Sequence, residues 1–149
     1  MKILIVSPAW VGDMVIAHAL VRALLAQSPH TEIHILAPAA TQPLARRMPG
    51  VAGSTLLPVA HGELAWRVRR DVARTLARAA YDQAIVLPNS FKSGLVPFLA
   101  AIPRRTGWRG EWRYGLLNDL RVLDPHRYPR MIDRFVALGH DAAEPALRP

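Results

Sequence analysis

No cysteine occurs anywhere in the chain, which excludes a disulfide framework, a thiol nucleophile and a thiolate metal site and suits a reducing compartment. No run of about 18 apolar residues occurs either, and the amino terminus has one lysine before only a short apolar stretch. Neither a membrane span nor a secretory signal is expected, and the chain is expected to be cytoplasmic. Acidic residues are scarce, 11 Asp and Glu against 19 Lys and Arg, for a formal charge of +8. That balance favours anionic partners such as nucleic acid, phosphorylated sugars or an acidic membrane surface, without choosing among them.

Several chemistries are missing with their motifs. The turn after the first apolar run has one glycine where a dinucleotide fingerprint needs three, and it lacks the Gly-Lys-Ser/Thr of a P-loop. No Gly-x-Ser-x-Gly elbow is present for a serine hydrolase. His30 and His34 are spaced for a shared helix face, but Pro29 and the strand-like pattern after it place them off a helix, so no metal site is expected.

What is present organises itself around the beginning. The 149 residues are 51% hydrophobic, enough for one domain with a sizeable core. The run Ile3 to Val6, ended by Ser7-Pro8 and followed by helical periodicity at Ile16, Leu20, Ala23 and Leu24, reads as a doubly buried strand feeding a helix. Thr31 to Ala37 reads as a second strand, Thr41 to Met48 as a short helix, and Ser54 to Leu57 as a weak third strand. From Glu63 to Tyr81, Ala65, Val68, Val72, Leu76 and Ala79 share one helix face, with Arg67, Arg70, Arg74 and Arg78 roughly opposite. That arginine stripe is either solvated surface or a contact for acidic lipid headgroups.

Asp82 to Leu87 is a further buried strand, delivering Pro88-Asn89-Ser90. A helix through Leu95 and Leu99 follows, kinked or broken at Pro97, then an edge strand over Arg104 to Trp108 and a loop punctuated by Gly107, Gly110 and Gly115. A last helix spans Pro129 to Leu138. Residues 1–140 are therefore expected to form a Rossmann-like open parallel α/β sheet with flanking helices, and 141–149 a linker or tail. In such sheets ligands sit beyond the carboxyl ends of the strands.

The candidate site residues follow from that rule. Asp13 is either a first-turn helix residue that accepts backbone N–H bonds, or a general base. Gly12 either lets a ligand approach the backbone or makes a tight turn at positive φ. Trp10 either closes a pocket or fills core. Asn89, Ser90 and Lys92 leave a strand end; capping accounts for Ser90, whereas Lys92 has no local duty and suits a carboxylate or phosphate. Arg104, Arg105, Arg109 and Arg113, interleaved with Trp108 and Trp112, read either as solvated surface or as a recognition loop for an anionic sugar.

Three stretches, Met1 to Val15 (MKILIVSPAWVGDMV), Leu87 to Pro97 (LPNSFKSGLVP) and Ile102 to Leu123 (IPRRTGWRGEWRYGLLNDLRVL), resemble the ADP-heptose:lipopolysaccharide heptosyltransferases, and the resemblance runs to about Gly139. It implies a GT-B glycosyltransferase, with two Rossmann-like domains facing across a cleft. In that arrangement the amino-terminal domain holds the lipopolysaccharide inner-core acceptor, heptosyl-Kdo-lipid A, and the carboxy-terminal domain holds most of the donor ADP-heptose. It further implies that Asp13 is the catalytic base and that no metal or other cofactor is needed; on that reading the strand-end and loop residues Trp10, Gly12, Asn89, Ser90, Lys92, Arg105, Arg109 and Arg113 are the ones expected to bind acceptor. The chain reads as the acceptor half alone, the carboxy-terminal nucleotide-sugar domain being absent. By itself it is expected to be inactive, and peripheral contact with the inner membrane is expected. The competing reading is a non-enzymatic basic α/β module for anionic glycolipid or nucleic acid, although no RNA- or DNA-binding pattern is recognised.

Overall fold

The structure, a computed structural model, describes residues 1–60, 62–111 and 113–141. Trp112 and the expected tail after Asp141 lie outside the described residues. Strands β1 (Lys2–Val6), β2 (Glu32–Ala37), β3 (Gly53–Leu56), β4 (Gln83–Val86), β5 (Arg104–Trp108) and β6 (Asp119–Arg121) form one parallel sheet in the order β3-β2-β1-β4-β5-β6. Helices α1 (Val11–Gln27), α2 (Gln42–Arg47), α3 (Trp66–Ala77), α4 (Leu95–Leu99) and α5 (Met131–Ala137) cover it.

Alternation along each strand assigns the helices to two faces. Ile3, Ile5, Ile33, Ile35, Ile85 and Leu87 point to the face where Met14, Leu20 and Leu24 of α1, Ala45 of α2 and Phe135 of α5 are buried. Leu4, Val6, Leu36, Ala84 and Val86 point to the other, against Ala73 and Leu76 of α3 and Val96 of α4. Strands buried on both faces need near-continuous apolar sequence, which is why β1 and β4 stand out in the chain. The strand order, with the fold reversing direction between β1 and β4, is that of a doubly wound Rossmann-type domain.

Three expectations are corrected. Strand β5 is not an edge strand, because β6 pairs with it through Thr106, Gly107 and Trp108. Helix α3 starts at Trp66 rather than Glu63, because Ala65 adopts the left-handed conformation, φ 42°, which cannot continue a right-handed helix. Around Pro97 the chain makes a 3-10 turn (Lys92–Gly94) and then the short α4. Pro97 thus falls in the first turn of α4, where a missing N–H costs nothing.

The edge strand β6 is held by charge rather than by apolar area. Asp119 Oδ2 accepts from Thr106 Oγ1 at 2.8 Å, from Arg104 Nη2 at 3.1 Å and from Arg121 Nη2 at 3.0 Å, while Oδ1 accepts from Arg121 Nε at 3.3 Å. Burial pushes the Asp119 carboxyl up, but the bonds from Arg121 and Thr106 and the charges of Arg121 and Arg104 outweigh it, leaving the carboxyl below its usual range. A depressed folded-state value means that Asp119 stabilises the fold above its unfolded pKa of about 3.9 and loses that contribution as pH falls through the folded value. Asp119→Asn is therefore expected to destabilise the domain by about 2 kcal/mol at neutral pH. The difference from the parent should shrink below about pH 4, as followed by urea melts at several pH values; a pH-independent difference would refute the assignment.

Candidate functional site

The switch point fixes where a ligand can bind. Val6 and Val86 are paired neighbours at the carboxyl ends of β1 and β4, yet α1 and α4 pack on opposite faces of the sheet. The two exit turns therefore diverge and leave a crevice between them. Trp10, Gly12 and Asp13 stand on one side of it, and Asn89, Ser90 and Lys92 on the other.

On the β1 side, Trp10 is the N-cap of α1, with its carbonyl accepting from Met14 N at 3.0 Å. It is 65% exposed, so it does not fill core. Gly12 is the second helical residue and is not among the glycines at positive φ, which removes the tight-turn reading. A Cβ built on it meets no atom within 4 Å, so its backbone is open to a ligand. Asp13, the third helical residue, is half-buried, and its side chain makes no hydrogen bond or ion pair among the described residues. The backbone-capping bond that would explain it structurally is not made, and its carboxylate oxygens stay available as acceptors.

The β4 side is a knot. Ser90 Oγ accepts from Ser93 N at 3.3 Å, the local capping role expected of it. Arg113, only 1% exposed, donates from Nη1 to the carbonyl oxygens of Pro88 at 2.7 Å and Ser90 at 3.4 Å and to Ser93 Oγ at 3.2 Å, and from Nη2 to the Trp108 carbonyl. Glu111 completes the join: its N–H donates to the Asn89 carbonyl at 3.0 Å, and its Oε2 accepts from Phe91 N at 3.0 Å. Gly110 is needed here because a Cβ would collide with the Asn89 carbonyl. Two of the stretches that carry the resemblance, Leu87 to Pro97 and Ile102 to Leu123, thus form one welded rim.

Four of the candidate ligand residues have other positions or duties. Arg113 does not face the crevice: it is a buried clasp, and burial pushes its guanidinium down to about 10 against the opposing charge of Glu111, so it stays cationic at neutral pH. Arg105 stands at the start of β5, and since the strands are parallel that is the opposite end of the sheet from the crevice. Its Nε and Nη1 donate to the carbonyls of Leu116 at 2.7 Å and Ile102 at 2.8 Å. Arg104 is engaged at that same end by Asp119 and Asp141. Lys92, read as having no local duty, donates from Nζ to the Gly62 carbonyl. Arg109, by contrast, is exposed at the carboxyl end of β5, with its N–H on the Arg121 carbonyl.

Sequence reasoning missed Arg69. It is 6% exposed, and its guanidinium donates to the carbonyls of Leu64 at 2.6 Å, Glu63 at 2.9 Å and Lys92 at 3.2 Å. Arg69 and Lys92 together fasten the loop between β3 and α3 to the rim. The one available signal was an arginine at 69 on the same helical face as Ala73 and Leu76, where the core stripe demands an apolar residue. Among the described residues, no group of three His, Asp or Glu converges to hold a metal ion, and no helix is long and apolar enough to cross a membrane.

A doubly wound domain whose switch-point crevice has an unengaged carboxylate on one wall and cationic, hydroxyl and amide side chains on the other is suited to holding a polyhydroxylated, anionic ligand. Residues 69–147 match the model of glycosyltransferase family 9 (heptosyltransferase), and the chain belongs to that family. It is 52% identical over 141 residues to lipopolysaccharide heptosyltransferase 2 of Escherichia coli (strain K12), covering 95% of this chain and 40% of that protein. Identity to the lipooligosaccharide heptosyltransferase 2 of Haemophilus ducreyi is 48% over 144 residues, covering 97% of this chain and 41% of the relative. Among solved structures, E. coli ADP-heptose lps heptosyltransferase II superposes with a TM-score of 0.88 at 48% identity, over 96% of this chain and 41% of that one. The chain thus spans about 40% of the length of the curated relatives it matches.

Proposed function

We propose that this chain is the acceptor-binding half of a heptosyltransferase that moves heptose from ADP-heptose to the heptosyl-Kdo inner core of lipopolysaccharide, in the cytoplasm at the inner membrane. The acceptor hydroxyl oxygen attacks the anomeric carbon of the donor, the bond from that carbon to the diphosphate breaks, and ADP leaves. Asp13 takes the hydroxyl proton as the oxygen attacks. Lys92 and Arg109 hold acceptor carboxylate or phosphate, Asn89 and Ser90 hold hydroxyls, and Trp10 and Gly12 form the opposite wall. ADP-heptose is held mainly by a second domain.

The observation that carries this reading is Asp13, whose carboxylate is unengaged at the carboxyl end of β1, beside the β4 exit where the two resembling stretches are joined. The Lys92 contact with a neutral carbonyl is compatible with it, because a charge-assisted bond to an anion is stronger and displaces the carbonyl. Titration of the 149-residue chain with an inner-core oligosaccharide should show saturable, salt-sensitive binding. Loss of a charge-assisted bond worth about 1.5–3 kcal/mol weakens binding roughly tenfold or more in Lys92→Ala, with a smaller loss in the more exposed Arg109→Ala. Incubated with ADP-heptose and the same acceptor, the chain alone should transfer nothing. Parental binding by both variants, or transfer by the isolated chain, would overturn the assignment.

A further inference from the structure

The outer face of α3 is not used by the fold or by the crevice. Arg69, Ala73 and Leu76 are its buried positions. Arg67, Arg74 and Arg78, at i, i+7 and i+11, project directly away from them and are exposed, with Arg70 on the flank. Arg67, Arg74 and Arg78 make no side-chain hydrogen bond or ion pair among the described residues. The one carboxylate on this face, Asp71, lies 3.6 Å from Arg70. The result is a straight cationic ridge about 16 Å long at 1.5 Å per residue.

At its amino-terminal foot the ridge meets apolar surface. Leu64 is 46% exposed and Trp66 47%, displayed on either side of the left-handed turn at Ala65. A helix that follows a parallel strand starts at the carboxyl end of the sheet, so this foot shares its end of the domain with the crevice and with Trp10. Basic residues along a ridge with Trp and Leu at one end are the composition of an interfacial membrane contact, in which arginines meet headgroups and the aromatic ring settles at the acyl boundary. Single-stranded nucleic acid would instead require a basic groove with aromatic platforms along it, whereas this surface is convex.

We infer that the outer face of α3, Arg67, Arg70, Arg74 and Arg78 with Leu64 and Trp66, docks the domain on an anionic phospholipid bilayer. The inference deepens the proposed function, since a lipid-borne acceptor presupposes a bilayer, but it is tested without acceptor. The probe is sedimentation of the 149-residue chain with phosphatidylcholine vesicles containing phosphatidylglycerol, at one moderate salt concentration, against pure phosphatidylcholine. Each arginine near such a surface is worth about 1 kcal/mol, or roughly fivefold in partitioning. Arg67→Ser/Arg74→Ser/Arg78→Ser should therefore bind about 100-fold more weakly, with an unchanged melting temperature because all three side chains are exposed.

The control is Arg22→Ser/Arg46→Ser/Arg47→Ser, which removes the same charge from exposed positions on α1 and α2 over the other face of the sheet. It should lose only a few-fold. Equal losses in the two triple variants would reduce the effect to net charge and overturn the inference, as would parental binding by the α3 variant. A single-stranded RNA oligonucleotide that displaces the chain from vesicles at equimolar charge, with its own binding lost in the α3 variant, would reassign the ridge to nucleic acid.

Discussion

Arg113→Met is expected to lower the stability of the domain by about 3 kcal/mol or more, a fall in melting temperature of roughly 6–12 °C for a chain of this size. The cost lies in what the side chain leaves behind. Its guanidinium donates to the carbonyls of Pro88 and Trp108 and, more weakly, to that of Ser90. A buried carbonyl stripped of its donor costs about 1–3 kcal/mol. Methionine fills most of the volume, so cavity formation adds little. Removing a desolvated charge returns something, but that gain dominates only when a whole buried pair is replaced; here one partner goes and the acceptors stay. Arg113→Lys keeps the charge but cannot span carbonyls on two separate strand exits with one ammonium group, so it should recover less than half of the loss. Thermal melts of the three proteins check this, and a methionine variant melting within about 2 °C of the parent would show that the clasp is dispensable.

The same residue marks how far the fold and site were legible in the sequence. Strands β1 and β4 are readable because burial on both faces forces apolar runs at Ile3 to Val6 and Ala84 to Leu87, and β2 because Thr31 to Ala37 alternates and is rich in β-branched residues. Strand β6 is not, since Asp119-Leu120-Arg121 offers a single apolar residue, and its pairing depends on an ion-pair network with Arg104 and Thr106. The start of α3 is not legible in the sequence, because a left-handed Ala65 leaves no mark on hydrophobic periodicity.

In the site, position followed from chain direction, and engagement did not. Asp13, Asn89 and Lys92 lie where the ends of parallel strands put them. Arg105 could have been set aside by the same rule, because a residue at the start of a strand already read as Arg104 to Trp108 faces away from the carboxyl end. Nothing local showed that Arg113 would be buried, since its acceptors Pro88 and Ser90 are more than 20 residues earlier in the chain. Nor could local sequence show that Lys92 would meet the carbonyl of Gly62, 30 residues before it. Arginine and lysine in glycine-broken loops are usually surface residues, and here the close approach of Gly110 to Asn89 lets the loop turn inward, where Glu111 and Arg113 bond to the β4 exit.

In a two-domain enzyme carrying this domain, Asp13→Asn is expected to lower turnover by about 10²- to 10⁴-fold while acceptor affinity stays near the parental value. A base that acts only as the acceptor oxygen attacks contributes to the transition state and not to ground-state binding, so the loss belongs in kcat. Asparagine separates this role from a helix-stabilising one. It keeps the shape and one oxygen, and it serves a helix start about as well as aspartate, but it cannot take a proton. The structure sharpens the comparison, because Asp13 makes no capping bond that asparagine would have to reproduce. The melting temperature of Asp13→Asn should therefore lie within a degree or two of the parent. Loss of the carboxylate from the first turn removes at most a helix-dipole contribution of about 0.3–1 kcal/mol. Turnover measured with saturating ADP-heptose and acceptor, together with acceptor affinity and a thermal melt, gives three readouts that diverge only if Asp13 is the base. Near-parental turnover in a stably folded Asp13→Asn enzyme would remove Asp13 from the reaction and leave the crevice as a binding site without its proton acceptor.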